Sequence, residues 1–285
     1  MAGPFIASNF ELYRQKFNDK VKNIEEATQV MRNYVTVDDS NSQIETFYQE
    51  STAELTAQSG IGKHSQWYAD NVVWDTLNAS PVQYGLEARI SWRDQQVQAL
   101  QLPTRTTIRI ANRLRRLDDL NIYNTLSQNQ SATTISTLAT SAAWDNATRA
   151  NRIPHEDIAE AISVVQNSQL QAYVPNTIFL NPKQYCFLRS NDYVLASWDS
   201  SSPQLMSKGQ MGNIFGLDAV VNPVVVSDSC VIANASQAVT VKDVAGFQTN
   251  VEDKPGKYTI YSGWFFTGYA LTDPKASLLL TNTDA

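Results

Sequence analysis

The 285-residue sequence predicts an α+β fold, and three observations predict it. Residues 8–34 and 104–126 carry apolar side chains at helical spacing. Residues 44–90 and the last third of the chain instead carry short runs of β-branched and aromatic residues, broken by glycine, proline and asparagine. Between them, residues 154–190 read helix, strand, helix, the order of a mixed α/β layer.

Taken in order, Ser8-Asn9-Phe10-Glu11 is a capping box, in which the serine hydroxyl accepts from a backbone N–H and the glutamate reaches back. The helix it opens places Phe10, Tyr13, Phe17, Val21, Ile24, Ala27, Met31 and Tyr34 on one flank. Such a helix either lies on its own domain or forms an arm that packs on a neighbouring subunit. The acidic, polar link 36–42 (TVDDSNS), which sets it apart from the rest of the chain, favours the arm. Residues 44–90 predict strands, and the glycine pair within Ser59-Gly60-Ile61-Gly62-Lys63-His64 predicts the turn of a long hairpin. This turn is not a phosphate loop: Ala57 stands where the first glycine belongs, and His64 where a serine or threonine would meet the metal.

Ser91-Trp92-Arg93-Asp94 opens a helix that ends near Gln101, ahead of Pro103. Thr104 then caps the longest helix, residues 104–126, with Ile110, Leu114, Leu117, Leu120 and Tyr123 on its apolar flank and Arg105, Arg109, Arg113, Arg115 and Arg116 beside and behind it. At about 1.5 Å per residue it is a strut roughly 35 Å long. Asp118 and Asp119 point about a hundred degrees apart on such a helix, so they form no proton-sharing dyad. They are expected to pair with Arg115 or Arg116 or to lie on a solvated face. The polar connector 127–141 is the best candidate for a domain boundary. Pro154 starts a second helix, with Glu156 and Asp157 at its positive end and Ile158, Ala161, Ile162 and Val165 apolar. Residues 175–180 read as a short buried strand, and Asn181-Pro182 caps the next helix, which runs through Tyr185, Phe187 and Leu188. Gly209, Gly212 and Gly216 punctuate loops that lead into an apolar strand, and further strands are expected over 230–233, 239–244 and the aromatic tail 257–280.

A net charge of −6 argues against a surface that grips nucleic acid by neutralising phosphates. No apolar run reaches the roughly 20 residues that span a bilayer, and the first residues lack the regions of a signal peptide. The chain is therefore expected to be soluble, away from membranes, and to begin at its natural start. Cys186 and Cys230 have no metal or redox spacing and are expected to be two buried thiols. His64 and His155 lie in different segments, and no nucleophile elbow, dinucleotide loop or zinc motif occurs. No catalytic, cofactor-binding or metal-binding residue is expected, and no cofactor.

The order of parts resembles the major capsid protein of tailed bacterial and archaeal viruses, the Hong Kong 97-type fold. The resemblance rests on the arm, the long hairpin, the spine helix ending in Leu117-Asp-Asp-Leu-Asn-Ile-Tyr123, the segment Pro175-Asn-Thr-Ile-Phe-Leu-Asn-Pro-Lys-Gln-Tyr-Cys-Phe-Leu188, Gly212-Asn-Ile-Phe-Gly216 and the closing Thr272-Asp-Pro-Lys-Ala276. It implies an N-terminal arm over 1–43, an extended loop over 44–90, a peripheral-domain spine helix over 91–128, an axial domain over 129–250 and peripheral strands over 251–285. It also implies a structural protein, not an enzyme, that assembles as hexamers and pentamers into an icosahedral shell around double-stranded DNA. Portal, scaffolding or decoration proteins would be its partners, and assembly would take place in the host cytoplasm. A short arm implies either a separate scaffolding protein or a chain already matured. Phe10, Tyr13, Phe17, Val21, Lys63, Arg113 and Arg116 are then the candidate assembly-interface residues, with Ile110, Leu114 and Leu117 as the spine-helix core. Some similar proteins cross-link a loop lysine to an asparagine, and Lys63 is the lysine in that position, though nothing else in the sequence identifies a partner. Two alternatives compete: an encapsulin-type compartment enclosing cargo enzymes, and an α/β enzyme using the Gly209 to Gly216 loops with Asp118 or Asp119.

Overall fold

The computed structural model describes residues 31–41, 44–50, 74–97, 102–127, 135–146, 148, 151–167, 173–191 and 213–284. Phe10, Tyr13, Phe17, Val21, Lys63, the capping box at Ser8, the hairpin turn at 59–64, Gly209 and Gly212 lie outside the described residues.

After a short 3-10 turn at Met31–Asn33, the chain forms β1 (Thr36–Asp39), a ribbon of β2 (Glu45–Glu50) and β3 (Trp74–Ala79), and β4 (Val82–Ser91). Helices α1 (Trp92–Val97) and α2 (Leu102–Ser127) follow, then β5 (Ser136–Ala139), α3 (Pro154–Gln166), β6 (Thr177–Leu180) and α4 (Pro182–Ser190). The last third holds β7 (Asn213–Ile214), β8 (Leu217–Val221), β9 (Ser229–Ala233), α5 (Ala235–Ala238), β10 (Val239–Lys254), β11 (Tyr258–Leu271) and β12 (Ser277–Thr281).

Two sheets organise these elements. A four-stranded sheet runs β1-β10-β11-β4, and a six-stranded mixed sheet runs β5-β12-β9-β6-β8-β7, while among the described residues β2 and β3 pair only with each other. All four residues of β6 and the last four of β9 are buried, as expected of central strands covered on both faces. The turn from β7 to β8 needs left-handed backbone at Gly216 (φ +84°), and its amide donates to the Asn213 side chain at 2.9 Å. The predicted cap of α4 forms as a capping box. Asn181 Oδ1 accepts from the Lys183 amide at 3.0 Å, and Gln184 Oε1 accepts from the Asn181 amide at 2.8 Å.

Several expectations need correction. The segment 36–42 is not a free link, because Thr36 to Asp39 pair in parallel with Thr240 to Asp243 and extend the four-stranded sheet by one strand. The long helix starts at Leu102, so Pro103 sits in its first turn, where the missing N–H costs nothing, and Thr104 is not the cap. Pro223 to Val226 form turns, not a continuation of the apolar strand. Cys186 is exposed, and only Cys230 is buried. β10, from Val239, belongs to the four-stranded sheet, while β12 lies in the six-stranded sheet between β5 and β9.

α2 lies directly on the backbone of β11. A Cβ added at Gly263 would fall 3.0 Å from Ile110 Cγ2, 3.1 Å from Leu114 Cδ1 and 3.2 Å from Phe247 Cζ. Gly263→Val therefore forces helix and strand apart, at a cost of about 1–3 kcal/mol. The urea midpoint of unfolding is expected to fall with unchanged slope.

Candidate assembly site and the acidic junction

The buried face of α2 changes partner along its length. Ile110, Ala111 and Leu114 pack with Ile90, Val251, Tyr261 and Phe265 of the four-stranded sheet. Ile122, Tyr123 and Leu126 belong to the larger core around the six-stranded sheet. Leu117 is only half-buried and Leu120 is 37% exposed, so the stripe expected through both does not continue straight. The positions buried at the changeover are Asp118 and Asp119, 2% and 4% exposed.

These carboxylates are neither on a solvated face nor a shared dyad, because each is carried to different elements. Asp118 accepts the Tyr269 hydroxyl at one oxygen and the Arg32 guanidinium, at 3.4 Å, at the other. Arg32 also pairs with Asp243 of β10, whose second oxygen accepts from Thr267 Oγ1 at 2.9 Å. Asp119 accepts from the Met31 amide at 3.3 Å and from Asn222 Nδ2 at 2.7 Å. The junction thus ties the 3-10 turn, α2, both long strands and the end of β8 together. Bonds of this kind are needed here, since a buried carboxylate left unpaired costs several kcal/mol.

Burial pushes the Asp119 carboxyl up to about 6; bonds from Asn222 and Met31 oppose the shift, the Asp118 charge adds to it and the Arg115 charge opposes it. Burial, and then the Asp118 charge, also raises the Tyr269 and Tyr84 phenols. Beside the junction, β10 slips register against β11 twice between Asp243 and Gln248. A cleft of about 170 Å³ opens there, lined by Arg32, Leu114, Asp118, Asp243, Phe247 and Phe265 among others.

Of the candidate residues, Ile110 and Leu114 are core, 1% and 2% exposed, and Leu117 lies at the rim. Arg113 and Arg116 are exposed and, among the described residues, have no ion-pair partner, whereas Arg115 is half-buried and donates to Asn112 Oδ1 at 3.0 Å. The junction residues Arg32, Asn222, Asp243 and Tyr269 carry no local signal, because each is an ordinary polar residue until the fold gathers them.

Outside the junction, several large apolar side chains are exposed. Ile44 and Tyr48 near the β2–β3 ribbon are 62% and 67% exposed, and Val82 and Leu86 on β4 are 49% and 37% exposed. Among the described residues, β4 pairs with β11 on one side only, which leaves its ten residues as an edge strand. Among the described residues, no cluster of His, Cys, Asp and Glu is arranged to hold a metal, and no helix is long and apolar enough to cross a membrane.

The family model described as phage capsid protein matches residues 74–279. No curated protein matches the sequence. Among solved structures, the fold is similar to one from Mycobacterium phage Che8, with TM-score 0.66 and 16% identity over 90% of this chain and 93% of that one. It is similar to the capsid of cyanophage P-SCSP1u, with TM-score 0.68 and 13% identity over 90% and 89% of the two chains. It is likewise similar to a virus-like particle from Pyrococcus furiosus, with TM-score 0.66 and 12% identity over 94% and 99%. With the family model spanning most of the chain, and with a long helix packed on both sheets, the protein belongs to the phage capsid protein family: it is a structural capsid protein with the Hong Kong 97-type fold.

Proposed function

We propose that this capsid protein is the major shell subunit of a tailed virus, assembling as hexamers and pentamers into an icosahedral particle around double-stranded DNA. The observation that carries this reading is that, among the described residues, the two-stranded ribbon pairs with itself alone and β4 is a ten-residue edge strand. Exposed edges of this length invite strand pairing with another chain, and shell subunits bury such surfaces against their neighbours. The net charge of −6 fits a wall that holds DNA weakly, so that the genome can slide during packaging. Catalysis has no part in this role. Assembly takes place in the host cytoplasm, the mature protein resides in the virion, and portal, scaffolding or decoration proteins complete the particle.

The candidate interface residues divide by element. Phe10, Tyr13, Phe17 and Val21 supply an apolar arm, Lys63 the ribbon tip, and the exposed Arg113 and Arg116 meet acidic groups of adjacent subunits. Negative-stain microscopy of the purified protein is expected to show closed megadalton particles; a monodisperse monomer would remove the reading. Nuclease-protected DNA inside virion-derived particles distinguishes a virus shell from a compartment holding protein cargo.

Truncation gives a finer test. Deleting residues 1–30 is expected to leave the subunit's thermal unfolding unchanged and to lower particle yield. Extending the deletion to residue 34 removes Met31, which is fully buried, and Tyr34, whose ring meets Phe179 edge-on, and is expected to destabilise the subunit itself by roughly 2–5 kcal/mol. Normal yield from the shorter deletion would show that the arm contributes no contact between subunits.

A further inference from the structure

The root of the arm is fastened at three points. Met31 is fully buried in the main core and its amide donates to Asp119 at 3.3 Å; Arg32 joins Asp118 to Asp243; and β1 pairs with β10. Only the first of these contacts places a carboxylate against neutral donors alone, the Met31 amide and the Asn222 side chain. We propose that the Met31–Asp119–Asn222 junction is a pH-sensitive latch for the arm root, closed in mild acid and loosened above neutrality.

Asp119 sits among both charged and neutral groups. On its own helix stand Asp118 and Arg115, whose charges act on it in opposite directions; Arg32 from the 3-10 turn and the Tyr269 phenol from β11 reach Asp118, and Asp243 of β10 reaches Arg32. Arg32 is engaged by Asp118 and Asp243, so the charge on Asp119 is held mainly by two neutral hydrogen bonds in a buried site. Lifting Met31 away opens this site to water and returns Asp119 to an ordinary carboxylate. The seated root therefore binds a proton more tightly than the released root, and by linkage a proton favours seating.

The sign follows from the two limits. Seated, Asp119 titrates near 6; released, near its ordinary 3.8. The favourable contribution is complete below the lower value and is lost as pH rises through the upper one. Across pH 5 to 8 these limits give an opening constant that rises about tenfold. A subunit with this latch holds its arm root more tightly at pH 5 than at pH 8.

Amide hydrogen exchange of the full-length chain tests the latch, read on a peptide covering 31–41 and corrected for the intrinsic pH dependence of exchange. Protection is expected to be about tenfold greater at pH 5 than at pH 8. Asp119→Asn, which cannot titrate, is expected to give a flat profile. Equal protection of the wild-type peptide at both pH values overturns the latch, as does an Asp119→Asn variant that keeps the wild-type pH dependence. Should that variant fail to fold, carbon-13 titration of the Asp119 carboxyl in the wild-type chain decides: a midpoint near 6 supports the latch and one near 3.8 overturns it. The latch lies within one subunit, so a flat profile leaves the shell reading intact, and failure to form particles leaves the latch standing.

Discussion

Leu114→Asp is expected to yield no folded subunit. Leu114 is 2% exposed and packs against the four-stranded sheet at Gly263 of β11. Truncating a buried leucine alone costs about 2–5 kcal/mol through lost burial and the cavity left behind. The carboxylate adds several more, since it enters an apolar contact and the nearby Arg32 is already engaged by Asp118 and Asp243. Together these approach the total stability of a domain, on the order of 5–15 kcal/mol. Leu117→Asp, three residues on and half-buried, is expected to fold with a modest loss, although apolar spacing alone ranks the two positions equally. Far-UV circular dichroism and size exclusion of the soluble fraction separate the outcomes; a native, cooperatively melting Leu114→Asp subunit would contradict this account of the spine helix.

The second large effect is expected at Asp157, in the first turn of α3. Its carboxylate is 4% exposed and accepts from the Ser141 amide and hydroxyl, each at 3.2 Å, and from Trp144 Nε1 at 2.9 Å. It thereby fixes the connector between β5 and α3 to a helix end whose dipole favours a negative charge. Asp157→Ala leaves three donors without this acceptor, one of them the indole N–H of the fully enclosed Trp144, and should cost about 3–5 kcal/mol. Trp144→Phe loses a single bond and should cost about 1–2 kcal/mol. Urea midpoints should fall in that order, and an Asp157→Ala midpoint within error of wild type would show that the connector is held some other way.

Much of the architecture was legible because it is written in local pattern. The Asn181 cap, the proline-started α3 and the buried run of β6 follow from residues within one or two turns of each other. The core of α2 was legible as far as Leu114, where a single apolar face meets a single sheet. Beyond it the helix passes from one core to another, and Leu120, at the right spacing, turns to solvent while Asp118 and Asp119 turn inward. Periodicity assumes one partner along the whole helix, and that assumption fails here. Likewise 36–42 reads as a polar link because an edge strand with one covered side needs little apolar content, and only the pairing with β10 reveals it.

The sequence by itself determined the α+β class, the succession of α3, β6 and α4, and the spine helix, all of which depend on interactions between residues close in the chain. Only the tertiary structure decided the acidic junction. Arg32 meets Asp118 and Asp243 across 86 and 211 residues of chain, and Asn222 meets Asp119 across 103. No local preference encodes such a meeting, because it is enforced by the cost of burying a charge without a partner once the two sheets have closed on the helix.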